Sequence, residues 1–204
     1  MRAIALFFYR FGMWLYFKLH ICQFWSGLYR FIWERKFLKV QLRTYSDLQT
    51  LGDYLRNNAG KWTADSWKQL WDAVSYPQKA QEAFDGNLKA DSGLDCDEFA
   101  IYSVAVLEKS LAQGTLHWRV VADPRLLTVM WQGKKAGGHN VCLVLLPEKN
   151  LYAFMDYGVP RGEARTPAEV ARNVVDIYAG KDATVAMWAI SKSNLSPVEV
   201  HWGP

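Results

Sequence analysis

Three residues far apart in the chain carry side chains that together could perform nucleophilic acyl transfer: Cys96, His139 and Asp156. In that chemistry a thiolate attacks a carbonyl carbon, an imidazole accepts and returns the proton, and a carboxylate fixes the imidazole tautomer and steadies its charge. Cys96 opens the stretch GLDCDEFAIYSVAVLEKSL (93–111). There Asp95 is a predicted N-cap, and Glu98, three residues on, completes a capping-box pattern, so a helix begins at or next to Cys96. Sulfur at a helix start meets unpaired backbone N–H groups and the positive end of the helix dipole, which favour thiolate. The flanking Asp95, Asp97 and Glu98 push the other way, so strong activation calls for a nearby cation, and His139 as imidazolium would supply it. Asp97 and Glu98 themselves read as helix-start residues.

His139 and Asp156 sit in two β-rich runs, HNVCLVLLP and NLYAFMDYG, joined around Glu148-Lys149 as a hairpin. If Leu146 pairs with Leu151, then Val141 faces Asp156 and His139 faces Gly158. Side chains alternate along a strand, so His139 and Asp156 project from one face as diagonal neighbours, within reach of a hydrogen bond. A one-residue slip would send them to opposite faces. His20, His117 and His201 fit such a role less well, and Cys142 falls on the opposite strand face from His139, as a core residue. A lone cysteine on an apolar helix face is ordinarily a small buried hydrophobe, and the hairpin is what raises Cys96 above that.

GLDCDEFA, GGHNVCLVL and LYAFMDYG resemble the Cys, His and Asp motifs of the transglutaminase-like superfamily, in particular the bacterial transglutaminase-like cysteine proteinases. The resemblance spans about residues 60 to 160 and departs from the pattern at Leu94, Asn140 and Cys142. It implies an α+β, papain-like fold in which N-terminal helices precede a nucleophile helix packed on an antiparallel β-sheet. It also implies a Cys96-His139-Asp156 triad that forms a thioester on a protein or peptide substrate and passes the acyl group to water, with no metal or organic cofactor. Two alternatives accompany it: a transglutaminase, in which a lysine amine takes the acyl group, and a non-catalytic binding or scaffold module. An oxyanion hole would need the Cys96 backbone N–H and a second donor, for which Trp62, Trp67, Trp71 and Tyr76 read first as packing aromatics.

Composition bounds these readings. A chain of 204 residues, half of them hydrophobic, forms one good core, or one with an appendage. The net charge of +4 conceals an asymmetry, because residues 1–39 hold seven Lys/Arg and one acid (+6), which leaves −2 for the rest. A nucleic-acid partner is therefore not expected. Three cysteines without C-x-x-C spacing make no disulfide framework or zinc site and suit a reducing, cytoplasmic setting. Residues 1–40 form an aromatic, basic arm ahead of a catalytic domain over 41–204. Residues 1–38 carry 13 of the 30 aromatics, and Arg10, Lys18 and His20 break up the apolar run, against a transmembrane helix. Either the arm lies in a membrane interface, giving a peripheral membrane contact, or it packs on the fold or on a partner subunit. FIWERKFLKV reads as its solvated end.

The remaining elements follow from period and punctuation. Helices are predicted after Thr44 or Ser46 up to Asn57-Gly60, from Thr63 or Asp65 to before Tyr76-Pro77, and from the Thr166 cap to Ala179-Gly180. Pro77–Ala90 reads as a polar helix or loop, and Asp91-Ser92-Gly93 as a turn. Strands are predicted at 116–122 and 126–132, divided by Asp123-Pro124-Arg125, and last at 185–190.

Overall fold

The computed structural model of the chain describes residues 7–8, 11–12, 15, 23–62, 74–88 and 94–203. The predicted helix over 63–75, except its end at Val74 and Ser75, lies outside these residues, as do Cys22, Trp67, Trp71 and the turn at 91–93. Five α-helices are described: α1 (Gln23–Tyr29), α2 (Leu48–Asn58), α3 (Pro77–Phe84), α4 (Cys96–Ala112) and α5 (Pro167–Tyr178). A π-helical turn (Arg30–Glu34) and a 3-10 turn (Arg35–Lys39) continue α1. Six strands, β1 (Ala122–Gln132), β2 (Gly137–Leu146), β3 (Leu151–Met155), β4 (Arg161–Ala164), β5 (Thr184–Ser191) and β6 (Pro197–Trp202), form one sheet in the order β4-β3-β2-β1-β5-β6. All neighbouring strands are antiparallel, which makes the fold a mixed α+β one.

Both faces of the sheet are covered, and that is why β2 is apolar at every position from Val141 to Leu146 rather than at alternate ones. Leu126, Cys142, Val144 and Met155 pack with α2, α3 and α4. Leu127, Val141, Leu143 and Phe154 pack against Val170, Ala171, Val174 and Val175 of α5 on the other face. α4 lies between the sheet and α2 and α3, so it is buried almost all round from Asp97 to Leu107, not along one stripe. α2 is capped by Asp47, whose side chain accepts the Thr50 N–H at 2.7 Å. Inside it, Gly52 lets the helix approach so closely that a Cβ there would lie 2.5 Å from Val159 Cγ1. α5 starts with the capping box of Thr166 and Glu169 and stops at Ala179, followed by Gly180 at φ +85°.

Four elements differ from expectation, the first being β4, an edge strand that the sequence pattern does not announce. His117–Val120 is a turn, closed by the Val120 N–H on the His117 carbonyl at 3.0 Å, and its β-prone Trp118 and Val120 are exposed between the buried Leu116 and Val121. Asp123-Pro124-Arg125 belongs to β1 as a bulge, with Asp123 at φ 47° and the register shifting between Ala122 and Arg125. An additional edge strand, β6, starts at Pro197, a position where the missing N–H costs nothing.

The segment FIWERKFLKV is not a solvated end at Arg30 and Glu34. Arg30 is 6% and Glu34 1% exposed. With Ser26 they hold the backbone of residues 74–76. Ser26 Oγ accepts the Val74 N–H at 3.1 Å, Arg30 donates to the Val74 and Ser75 carbonyls at 2.9 and 2.7 Å, and Glu34 accepts the Tyr76 N–H at 2.7 Å. Glu34 is also ion-paired with Lys79 at 2.8 Å. Burial pulls Arg30 down to about 10, so it stays cationic at neutral pH. Buried polar groups need such partners, and this clamp joins the arm to the body across residue 40. Among the described residues no helix is long and apolar enough to cross a membrane.

Candidate active site

The hairpin has the register that apolar pairing predicts, Leu146 opposite Leu151 through Cys142 opposite Met155. His139 lies beyond the last pair on β2 and Asp156 one residue past β3, on the sheet face that α5 covers. Their side chains meet, with His139 Nε2 3.1 Å from Asp156 Oδ1, and both residues are 8% exposed. With Nε2–H donating to the carboxylate, Nδ1 is the nitrogen left to exchange a proton.

Two further groups share that carboxylate. Arg161 Nη2 donates to Asp156 Oδ2 at 2.8 Å, and the Tyr178 hydroxyl donates to the same oxygen. The Tyr178 ring also lies against His139, with centroids 4.0 Å apart, so imidazole and carboxylate are held from the α5 side as well as by each other. Arg161 follows from the short β3–β4 connection, and its guanidinium sits over the Phe154 ring at 5.3 Å. Tyr178 ends α5, and the helix stop at Ala179-Gly180 fixes where it points. Neither residue is foreseen by the sequence reading. Tyr178 is 22 residues beyond Asp156 and part of no motif, whereas Arg161 could have been suspected as the cation nearest the buried acid in the chain.

Cys96 is the first residue of α4, and the capping box is complete: the Asp95 side chain accepts the Glu98 N–H, Glu98 accepts the Asp95 N–H at 3.1 Å, and Asp95 also accepts the Asp97 N–H at 2.9 Å. The other Glu98 oxygen accepts the Ser75 N–H at 3.3 Å, which ties the helix start to the segment the arm clamps. The helix comes from the opposite face of the sheet, and the Asn140 backbone N–H of β2 is placed to favour the ionised sulfur. Its own proton is directed to Asp97 Oδ1, 3.4 Å away. Burial and then the charges of Asp97 and Asp95 push the thiol well above its ordinary value, with the Asn140 N–H opposing them. Resting Cys96 is therefore a thiol held by Asp97, and among the described residues its sulfur donates to Asp97 and not to His139.

Asn140 explains that arrangement. Its amide donates to Asp97 Oδ1 and its oxygen accepts from Thr128 Oγ1 at 2.5 Å, making a buried chain Thr128–Asn140–Asp97–Cys96. Asp97 is thus a helix-start residue, as expected, and also the acceptor that orients the sulfur. Asp95, Cys96 and Asp97 bring one ligand atom each to within 4.8 Å of one another, yet Asp95 already accepts the Asp97 N–H at the helix start and Asp97 the Asn140 side-chain amide of β2.

Cys96 and His139 line one cavity of about 410 Å³, together with Gly138, Tyr157, Tyr178 and Trp62. Tyr157 adopts φ 51°, a left-handed conformation costly for a bulky residue, directly after Asp156, and its ring stands edge-on to Phe99 at 4.7 Å. Trp62 is exposed at 48%. Tyr76 lies away from the cavity, under the Arg30 guanidinium at 5.1 Å. Cys142 is fully buried in the α4-side core, where burial pushes its thiol up. His201 stacks on Trp188 at 4.1 Å, and His117 lies beside Trp118. The structure therefore brings together a thiol at a helix start and a carboxylate-held imidazole on one apolar cavity wall. Comparison with protein-family models and with curated proteins finds no match to this chain.

Proposed function

We propose that this chain is a cysteine-dependent acyl-transfer enzyme of papain-like arrangement, a peptidase or amidase similar to the transglutaminase-like cysteine proteinases. The observation that carries the reading is the His139–Asp156 pair facing the same cavity as Cys96. A substrate carbonyl enters beside Cys96, the thiol proton passes to His139 Nδ1, and sulfur attacks the carbonyl carbon. The C–N bond then breaks, His139 returns the proton to the leaving amine, and a thioester remains on Cys96. Water, deprotonated by His139, hydrolyses it to the acid and restores the thiol. Asp156 stabilises the imidazolium at each transfer, and Arg161 and Tyr178 hold its carboxylate in place through their hydrogen bonds. Free Cys96 and Cys142 suit a reducing, cytoplasmic setting.

A second reading, a binding or scaffold module that keeps the fold, is favoured by the thiol's bond to Asp97 in place of His139. Acylation with p-nitrophenyl acetate separates the two. The enzyme reading expects a nitrophenolate burst with the acyl group located on Cys96 by mass spectrometry, lost in Cys96→Ser and at least about 100-fold slower in His139→Ala. Acylation spread over Cys142 and surface amines, unchanged in His139→Ala, would overturn it. Adding a primary amine to a glutamine peptide assay then reads whether water or an amine is the acceptor.

A further inference from the structure

The helical segment from α1 through the turns to Lys39 is inside out. Ser26, Arg30 and Glu34, four residues apart, face the protein and are at most 6% exposed, whereas Leu28, Phe31, Ile32, Trp33 and Leu38 face outward at 42–62%. Nine of the fifteen exposed large apolar side chains among the described residues lie at or before Leu38. The charges on the outward face have one sign. Arg35, Lys36 and Lys39 are exposed, and the segment's acid, Glu34, is buried on Lys79. Rings and cations interleave, with the Arg35 guanidinium 5.5 Å over the Phe31 ring and Lys36 Nζ 5.1 Å over that of Phe37.

We propose that this face docks on a lipid bilayer bearing anionic headgroups, with Phe31, Ile32 and Trp33 at the boundary of headgroups and acyl chains and Arg35, Lys36 and Lys39 among the phosphates. Amphipathic rings beside snorkelling cations match the chemistry of that boundary layer. A second copy of the chain fits less well, since a two-fold contact is self-complementary and this face offers exposed cations but, among the described residues, no exposed acid to meet them. The surface is independent of the acyl-transfer reading, because none of these six residues lines the cavity.

The test is co-sedimentation of the full chain with vesicles of phosphatidylcholine, alone or mixed with phosphatidylserine. Binding is expected to the anionic vesicles and to fall with added salt. It should weaken about 100-fold in the Arg35→Gln/Lys36→Gln/Lys39→Gln variant, at about 5-fold for each cation. The Phe31→Ser/Ile32→Ser/Trp33→Ser variant should lose at least about ten-fold, while both variants keep the wild-type near-UV circular dichroism. Equal binding to neutral vesicles, no binding to either kind, or variants that bind like wild type would overturn the proposal. So would a concentration-dependent dimer that the aromatic variant abolishes, which would assign the face to a second copy.

Discussion

Two polar clusters in this molecule, each holding a buried carboxylate, serve opposite ends. In the clamp, Ser26, Arg30 and Glu34 are matched to backbone groups of residues 74–76 and to Lys79, and nothing in it lines the cavity. In the His139–Asp156 cluster the carboxylate is likewise saturated, by His139, Arg161 and Tyr178, yet one imidazole nitrogen is left over beside an open space. Saturated polarity locks a chain path, and polarity with one valence remaining can move a proton. Geometry, not the presence of buried charge, separates structure from chemistry here.

The contrast can be broken most forcefully at Glu34. Glu34→Ala strands a buried Lys79 and the Tyr76 N–H, and is expected to cost about 3–5 kcal/mol in urea unfolding, with Cys96 acylation unchanged in the molecules that stay folded. Asp156→Asn should do the reverse, slowing Cys96 acylation about 100-fold while losing less stability than Glu34→Ala. If the two variants exchanged these effects, the distinction would fail. A smaller effect sharpens the account of the sulfur. Asp97 holds the thiol proton by hydrogen bond and by charge, so ionisation is delayed to higher pH, and Asp97→Asn should move the rising limb of the acylation profile toward lower pH and speed the reaction about ten-fold at neutrality. An unshifted limb would remove Asp97 from the account. Smallest is Tyr178→Phe, which deletes one of three donors to Asp156 while keeping the ring on His139, with an expected loss of about 1 kcal/mol, read as a several-fold slower burst.

Much of this geometry was readable from residue order, and the exceptions share a cause. The hairpin register followed from matching apolar residues on two strands, and the α4 and α5 starts from side chains that cap their own helices, so both are local. The turn at His117–Val120 misled because its β-prone residues, Trp118 and Val120, are exposed and pair with no strand. Arg161 and Tyr178 lay beyond local reasoning, since what assembles them is the packing of α5 on the sheet, and the Thr128–Asn140 pair depends on the β1–β2 register. The clamp escaped for the same reason: Arg30 and Glu34 look solvated until the strand of backbone they satisfy is brought beside them.

Gly52 gives the loop that carries Asp156 a remote lever. The helix bearing it presses on Val159, midway between the acid and Arg161, with no room for even one methyl group. Alanine ordinarily steadies the middle of a helix relative to glycine by roughly 0.5–1 kcal/mol; at this position the added carbon acts as a wedge, prising the acid's loop outward from behind, so that a site built to handle protons would be detuned from a residue that never meets one.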